Sequence, residues 1–132
     1  MDLKVLLHEK SEFYPTYVKW CEMHDFPPMI FDCLPNTVFV CYSLNVPVYC
    51  VWLWNTDSGI CWIGFLTSNK QVEYTQREGG IALLIEESKI YAKSVGYNSL
   101  FITSGDEIII KELEKSGFVE ADVNINQYYF NV

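Results

Sequence analysis

One stretch of this chain gathers the residue types that bind anions. Arg77 is the only arginine among 132 residues, and Glu78, Gly79, Gly80, Ile81 and Ala82 follow it. Glycine lets the backbone approach a ligand closely, and the start of a helix presents N–H groups with no partner inside the helix. A guanidinium beside such a turn suits an oxyanion. The plainer alternative is a glycine-rich helix start preceded by a surface arginine. The overall charge leans the other way, with 17 acidic side chains against 9 basic ones and a net charge of −8. Such a surface repels phosphate backbones and anionic lipid heads, so nucleic acid is disfavoured as a direct partner. Amines, polyamines and basic peptides would be drawn in, although the charge also serves solubility alone.

Cysteine is the other reactive residue type. Cys21, Cys33, Cys41, Cys50 and Cys61 follow one another at spacings of 12, 8, 9 and 11, with no CxxC. That is not a zinc pattern, and no metal is expected. An odd number of cysteines in mostly apolar surroundings fits buried free thiols in a reducing cytosol. Cys61 as a nucleophile would need a base, and neither His8 nor His24 has a spacing that supplies one.

The elements that must position these residues are legible from periodicity. Half the residues are hydrophobic and 16% are aromatic, which suits one packed domain spanning 1–132. Residues 3–7 read as a first strand. Residues 11–24 read as a helix, with Phe13, Tyr17, Trp20 and Met23 on one side and Ser11 as its N-cap. Pro27, Pro28 and Pro35 make the next stretch a loop. Residues 37–43, 47–54 and 60–67 read as three antiparallel strands joined by short turns. Both faces of the second are apolar, so it is central and covered on both sides.

After the glycines, Ile81, Leu84, Ile85, Ser88, Tyr91, Ala92 and Val95 form one stripe of a helix over 79–95, closed by Gly96. Residues 99–103 read as a buried strand parallel to its predecessor, reached by a right-handed crossover. Ser104 opens a capping box for a helix running to about residue 116, with Ile109, Ile110 and Leu113 as its apolar side. The segment 118–130 reads as strand, a hairpin turning near Asn124. The sum is an α/β (α+β) domain whose sheet is mixed and mainly antiparallel, with helices on both faces.

This order resembles the GNAT superfamily of N-acyltransferases. Its acyl-CoA signature, [Q/R]-x-x-G-x-[G/A], is met by Arg77 to Ala82, between the fourth strand and the next helix. "LLIEESKIYAKSVGYNSLFI" looks like the family's helix and fifth strand, and "LEKSGFVE" looks like its "LYEKLGF" segment. The likeness covers about 37–120 and extends to 1–36 in element order alone. "TDSGICWIGFLTSN", with an arginine some eight residues on, also resembles a small GNAT-like branch found in bacteriophage genomes.

The resemblance implies acetyl-CoA as acyl donor and an amine, on a small molecule or a protein, as acceptor. A neutral amine would attack the thioester directly, without a metal, and backbone N–H groups of the fourth strand would hold the oxyanion. Ile63, Phe65, Leu66 and Thr67 would bind the pantetheine arm through the main chain. Arg77, Glu78, Gly79, Gly80, Ile81 and Ala82 would cradle the pyrophosphate, with Arg77 adding a charge-assisted contact. Asp106 falls where the family often has an asparagine near the CoA arm.

Departures from the pattern bear on the chemistry. The usual general-acid tyrosine aligns with Leu113, the loop from Thr67 to Arg77 is long, and the typical "V-x-P-x-[YF]-R" is absent. Gly80 and Ala82 replace a stricter double glycine. Glu73, Tyr74, Asp57, Tyr128 and Tyr129 are the candidates for proton transfer, each also explicable as structural. Trp52, Trp54 and Trp62 could line an acceptor pocket or fill the core. A second function therefore stands beside the first: a catalytically degenerate, phage-encoded GNAT-fold protein that acts as a binding or virion-associated module. A homodimer through an edge strand is compatible with either. No signal peptide is visible, and the longest apolar run has nine residues where a membrane helix needs about 20. A cytoplasmic protein, in the host cytoplasm if phage-encoded, is the expectation.

Overall fold

A computed structural model describes residues 2–132. Five strands form one sheet in the order β1-β2-β3-β4-β5: β1 Leu3–Glu9, β2 Thr37–Ser43, β3 Val46–Trp54, β4 Ile60–Ser68 and β5 Ser99–Ile102. The first three pairings are antiparallel, and β5 runs parallel to β4. The helices are α1 Lys10–Met23, a short α2 Tyr74–Arg77, α3 Gly80–Ser94 and α4 Glu107–Lys115.

The alternation of β3 explains its place. Cys50 and Trp52 join the core under α1, which contributes Phe13, Tyr17, Trp20 and Cys21, four residues at helical spacing. Tyr49, Val51 and Leu53 join a second core with Leu84 of α3 and Ile63 of β4. Burial of each such side chain is worth roughly 2 kcal/mol, which covers both faces of a central strand. Trp52 meets Tyr17 edge-on with ring centroids 5.3 Å apart. Its indole N–H is buried with no partner, so this ring is held by packing alone.

Turns set the register. Leu44 and Asn45 both have positive φ, 51° and 66°, in a two-residue connection between Ser43 and its partner Val46. That conformation matches the twist of paired strands. At the β3–β4 turn, the Tyr97 hydroxyl donates to Asn55 Oδ1 at 3.0 Å and accepts from Thr56 N at 3.0 Å. Asn98 N donates to Gly59 O at 2.7 Å. The residues after α3 are thereby pinned to the beginning of β4, which starts the parallel pairing.

Three local expectations fail. The 118–130 segment forms no strand; its residues from Val119 onward are exposed, and only Asn124 turns, at φ 54°. Its alternating apolar residues meet no sheet edge, so nothing offsets the cost of ordering them. Helix α1 begins one residue before Ser11: Glu9 is the N-cap, and its N–H donates to Glu12 Oε1 at 3.1 Å. Helix α4 is capped by Asp106 rather than Ser104, whose hydroxyl instead accepts from Asp106 N at 3.1 Å. A carboxylate two residues closer reaches the free N–H groups better than the serine can.

Candidate functional site: the β4 splay and the start of α3

Strands β4 and β5 part company midway. Their pairing runs from Ile60↔Ser99 to Ile63↔Ile102 and ends there. Gly64 to Ser68 continue as strand with β3 on one side and no strand on the other. The register against β3 shifts between Cys50 and Trp52, opposite Gly64 to Thr67. Phe65 sits in that irregularity with φ 51°, a left-handed conformation that is an outlier for a bulky residue. Its ring, 46% exposed, rests near Trp54 at 5.8 Å. Bulges re-aim a strand, and here the strand turns away from its neighbour and leaves main-chain groups unpaired by any strand.

The sequence-predicted residues fall as follows. Ile63 is buried in the second core, at the last pair with β5. Leu66 packs partly against the same core, as do Val72 and Ile81. Thr67 is buried, and its hydroxyl donates to Phe65 O at 2.8 Å, bracing the bulge. Glu78 is exposed in the turn before α3. Gly79 has φ 86°, and Gly80 is buried as the first residue of α3. The first backbone bond there runs from Leu83 N to Gly79 O at 3.1 Å. The N–H groups of Gly80, Ile81 and Ala82 therefore have no acceptor within the helix, and no side chain caps them. Helix α4 contrasts: Asp106 accepts from Ile108 N at 2.9 Å and Ile109 N at 3.2 Å. Asp106 Oδ1 thus caps its own helix.

Arg77 turns inward. Its Nε donates to Val72 O at 2.9 Å and its Nη1 to the Tyr49 hydroxyl at 3.2 Å. Its guanidinium carbon lies 5.5 Å from the Tyr49 ring centre and 5.9 Å from that of Tyr74. Burial pushes the Tyr49 phenol above its ordinary value, and the hydrogen bond and charge of Arg77 only partly oppose this. The phenol stays neutral, so it accepts from a cation without carrying charge itself. A shallow hollow beside this pair is lined by Tyr49, Tyr74, Gly79, Ile81, Ala82, Ile108 and Glu112. Glu112 brings a carboxylate to its rim, next to Lys115 Nζ at 3.5 Å.

The proton-transfer candidates scatter. Glu73 is the exposed N-cap of α2 and Tyr74 is 55% exposed beside Arg77. Asp57 lies in the β3–β4 turn, at the far end of β4 from the bulge. Tyr128 and Tyr129 are almost fully exposed. Leu113 is buried in α4 and can transfer no proton. Trp52 is core, Trp54 is half-buried, and Trp62 is 42% exposed against Phe101. One contact escaped the sequence reading: His24, just past α1, has Nε2 at 3.0 Å from both the carbonyl and the hydroxyl of Ser68, and its ring stacks on Phe26. A carbonyl only accepts, so Nε2 carries the proton. No local signal marks a residue that meets its partner 44 positions away. No grouping of three or more metal-ligating side chains occurs among the described residues. No helix among them is long and apolar enough to cross a membrane.

No family profile and no curated protein sequence matches the chain. Solved structures do match over nearly its whole length. An aminoglycoside acetyltransferase from an uncultured soil metagenomic sample, solved with sisomicin, superimposes with a TM-score of 0.69 at 17% identity, covering 98% of this chain and 96% of its own. The ribosomal-protein-alanine N-acetyltransferase of Brucella melitensis biovar Abortus 2308 gives 0.65 at 10% identity, with 99% of each chain covered. The glucosamine-6-phosphate N-acetyltransferase of Arabidopsis thaliana gives 0.65 at 12% identity, covering 98% of this chain and all of its own.

The chain has the GNAT acetyltransferase fold. Within that GNAT fold, the splayed β4 and the uncapped start of α3 are the irregular features at the candidate site.

Proposed function

We propose that the chain is an acetyl-CoA-dependent N-acetyltransferase acting on an amine. The observation that carries this is the pairing of a strand that leaves its neighbour after Ile63, bulged at Phe65, with a helix whose first three N–H groups are free. A pyrophosphate needs converging N–H donors at the positive end of a helix, and α3 offers them with a glycine at the point of closest approach. The fit is reinforced at Gly79, whose φ of 86° turns the backbone as few other residues could. Acetyl-CoA would supply an acetyl thioester for attack by the neutral amine.

The chain's own residues would then divide the work. Gly80, Ile81 and Ala82 hold the pyrophosphate. The main chain from Gly64 to Ser68, free of β5, would hold the pantetheine arm. Its N–H groups would polarise the thioester carbonyl. No phenol stands on α4 to protonate a leaving thiolate, so the proton that the amine loses would reach the thiolate through solvent or Tyr74. The acidic surface, at −8 overall, favours a cationic acceptor, whether small molecule or protein. A bound homodimer partner is not needed for any of these contacts.

Calorimetric titration with acetyl-CoA tests the proposal. The expected result is saturable binding that weakens at least about tenfold in Ala82→Glu, where a negative side chain at the third helical position, reaching back toward the Gly79 N–H, repels a pyrophosphate at the same turn. The same variant should unfold no earlier than the parent, because acid at that position suits a helix start. Absence of binding at high micromolar acetyl-CoA would overturn the proposal and leave a GNAT-fold binding module in its place.

A further inference from the structure

We propose that Tyr49 positions the phosphate-binding turn, with Arg77 as its clamp rather than as the ligand's own cation; this rests on the acetyl-CoA function proposed above. Tyr49 projects from β3 toward α3 and is 3% exposed. Two independent contacts converge on it. Its ring lies beneath Gly80, where an added Cβ would come within 2.6 Å and 2.8 Å of two ring carbons and 3.3 Å of Cys41 Sγ. The ring therefore sets how deep the start of α3 can sit. Its hydroxyl accepts from Arg77 Nη1, while Arg77 Nε holds Val72 O. A single planar guanidinium thus ties the central strand to the loop that follows β4.

Neighbouring bonds show the same purpose. Asn69, also buried, donates from Nδ2 to Pro47 O at 3.0 Å and accepts from Gln71 N at 3.1 Å. Ser43 Oγ donates to Gln76 O at 2.5 Å. The segment 69–77 is held to the β2–β3 end at several points, with Arg77 last before the glycines. The sole arginine spends two of its donors on the protein, and the contribution to an anion assigned to it is the placement of three backbone N–H groups. A lysine could not span Val72 O and Tyr49 with the same fixed fork.

The test uses the full chain and the variants Tyr49→Phe, Arg77→Lys and the double variant. Amide hydrogen exchange over residues 72–80, without ligand, should quicken in Tyr49→Phe and Arg77→Lys alike. Acetyl-CoA affinity should fall about tenfold in each single variant and no further in the double, the mark of one unit rather than two contacts. Additive losses, or an exchange rate unchanged in Tyr49→Phe, would overturn the clamp. Faster exchange with unchanged affinity would overturn its link to the ligand. Wild-type protein that binds no acetyl-CoA would sink the proposed function instead, and the exchange rates alone would then decide whether the clamp exists.

Discussion

A Cβ on Gly80 would lie 2.6 Å from the ring of Tyr49. Alanine there gains helix propensity of at most about 1 kcal/mol, but it overpacks a buried contact that costs about 1–3 kcal/mol. Gly80→Ala should therefore lower the melting temperature by several degrees. In a Tyr49→Leu background, which removes the ring, the same substitution should cost much less. Equal losses in both backgrounds would show that the ring moves aside.

Phe65 holds a left-handed backbone at φ 51° inside β4. That conformation costs an ordinary residue about 1–2 kcal/mol, and glycine is spared it. The ring contact with Trp54 is worth about 0.5–1.5 kcal/mol. Phe65→Gly should then be close to neutral in urea unfolding. Phe65→Val, β-branched and without the ring, should lose more than about 1 kcal/mol. A valine variant as stable as the parent would mean that the bulge is not maintained.

Helices α3 and α4 are joined through Glu86. Its carboxyl accepts from the Ser116 hydroxyl and, at 3.2 Å, from Lys89 Nζ. Those two groups, Ser116 first, hold it below its ordinary value of 4.5. A depressed carboxyl stabilises the fold above its unfolded pKa and loses that contribution as pH falls through the folded value. The side chain is half-exposed, so solvent screening keeps the effect below about 1 kcal/mol. Glu86→Gln should lower the urea midpoint slightly at neutral pH, and the gap should close as pH drops below about 4.5. A gap independent of pH would assign the effect to packing.

Thiol reactivity should divide sharply. Cys21, Cys41, Cys50 and Cys61 are buried, and burial raises all four, Cys41 to about 11. Cys33 alone is exposed. A thiol reagent at neutral pH should modify one cysteine quickly in the native protein and all five in denaturant. Rapid modification of a second thiol would show that one of the sheet faces opens.

The sequence alone determined the order of the elements from β1 to α4, the short α2 apart, because its periodicities are strong. Phe13, Tyr17 and Trp20 mark one helix, the stripe from Ile81 to Ala92 marks another, and the two apolar faces of β3 require cover on both sides. The glycines also disclosed where α3 begins, since positive φ at Gly79 has few substitutes. Tertiary structure decided the rest. Asp106 aligns with a position near the CoA arm, and only the structure shows that its carboxylate also caps α4, being nearest to that helix's free N–H groups. The 118–130 segment has strand alternation but finds no edge to pair with, and pairing is a property of two segments, never of one. His24 meets Ser68 only because α1 ends beside β4. Arg77, conspicuous in the sequence as the lone arginine, faces inward to Tyr49 and Val72 because a guanidinium beside part-buried acceptors binds them, and no spacing along the chain records that those acceptors are there.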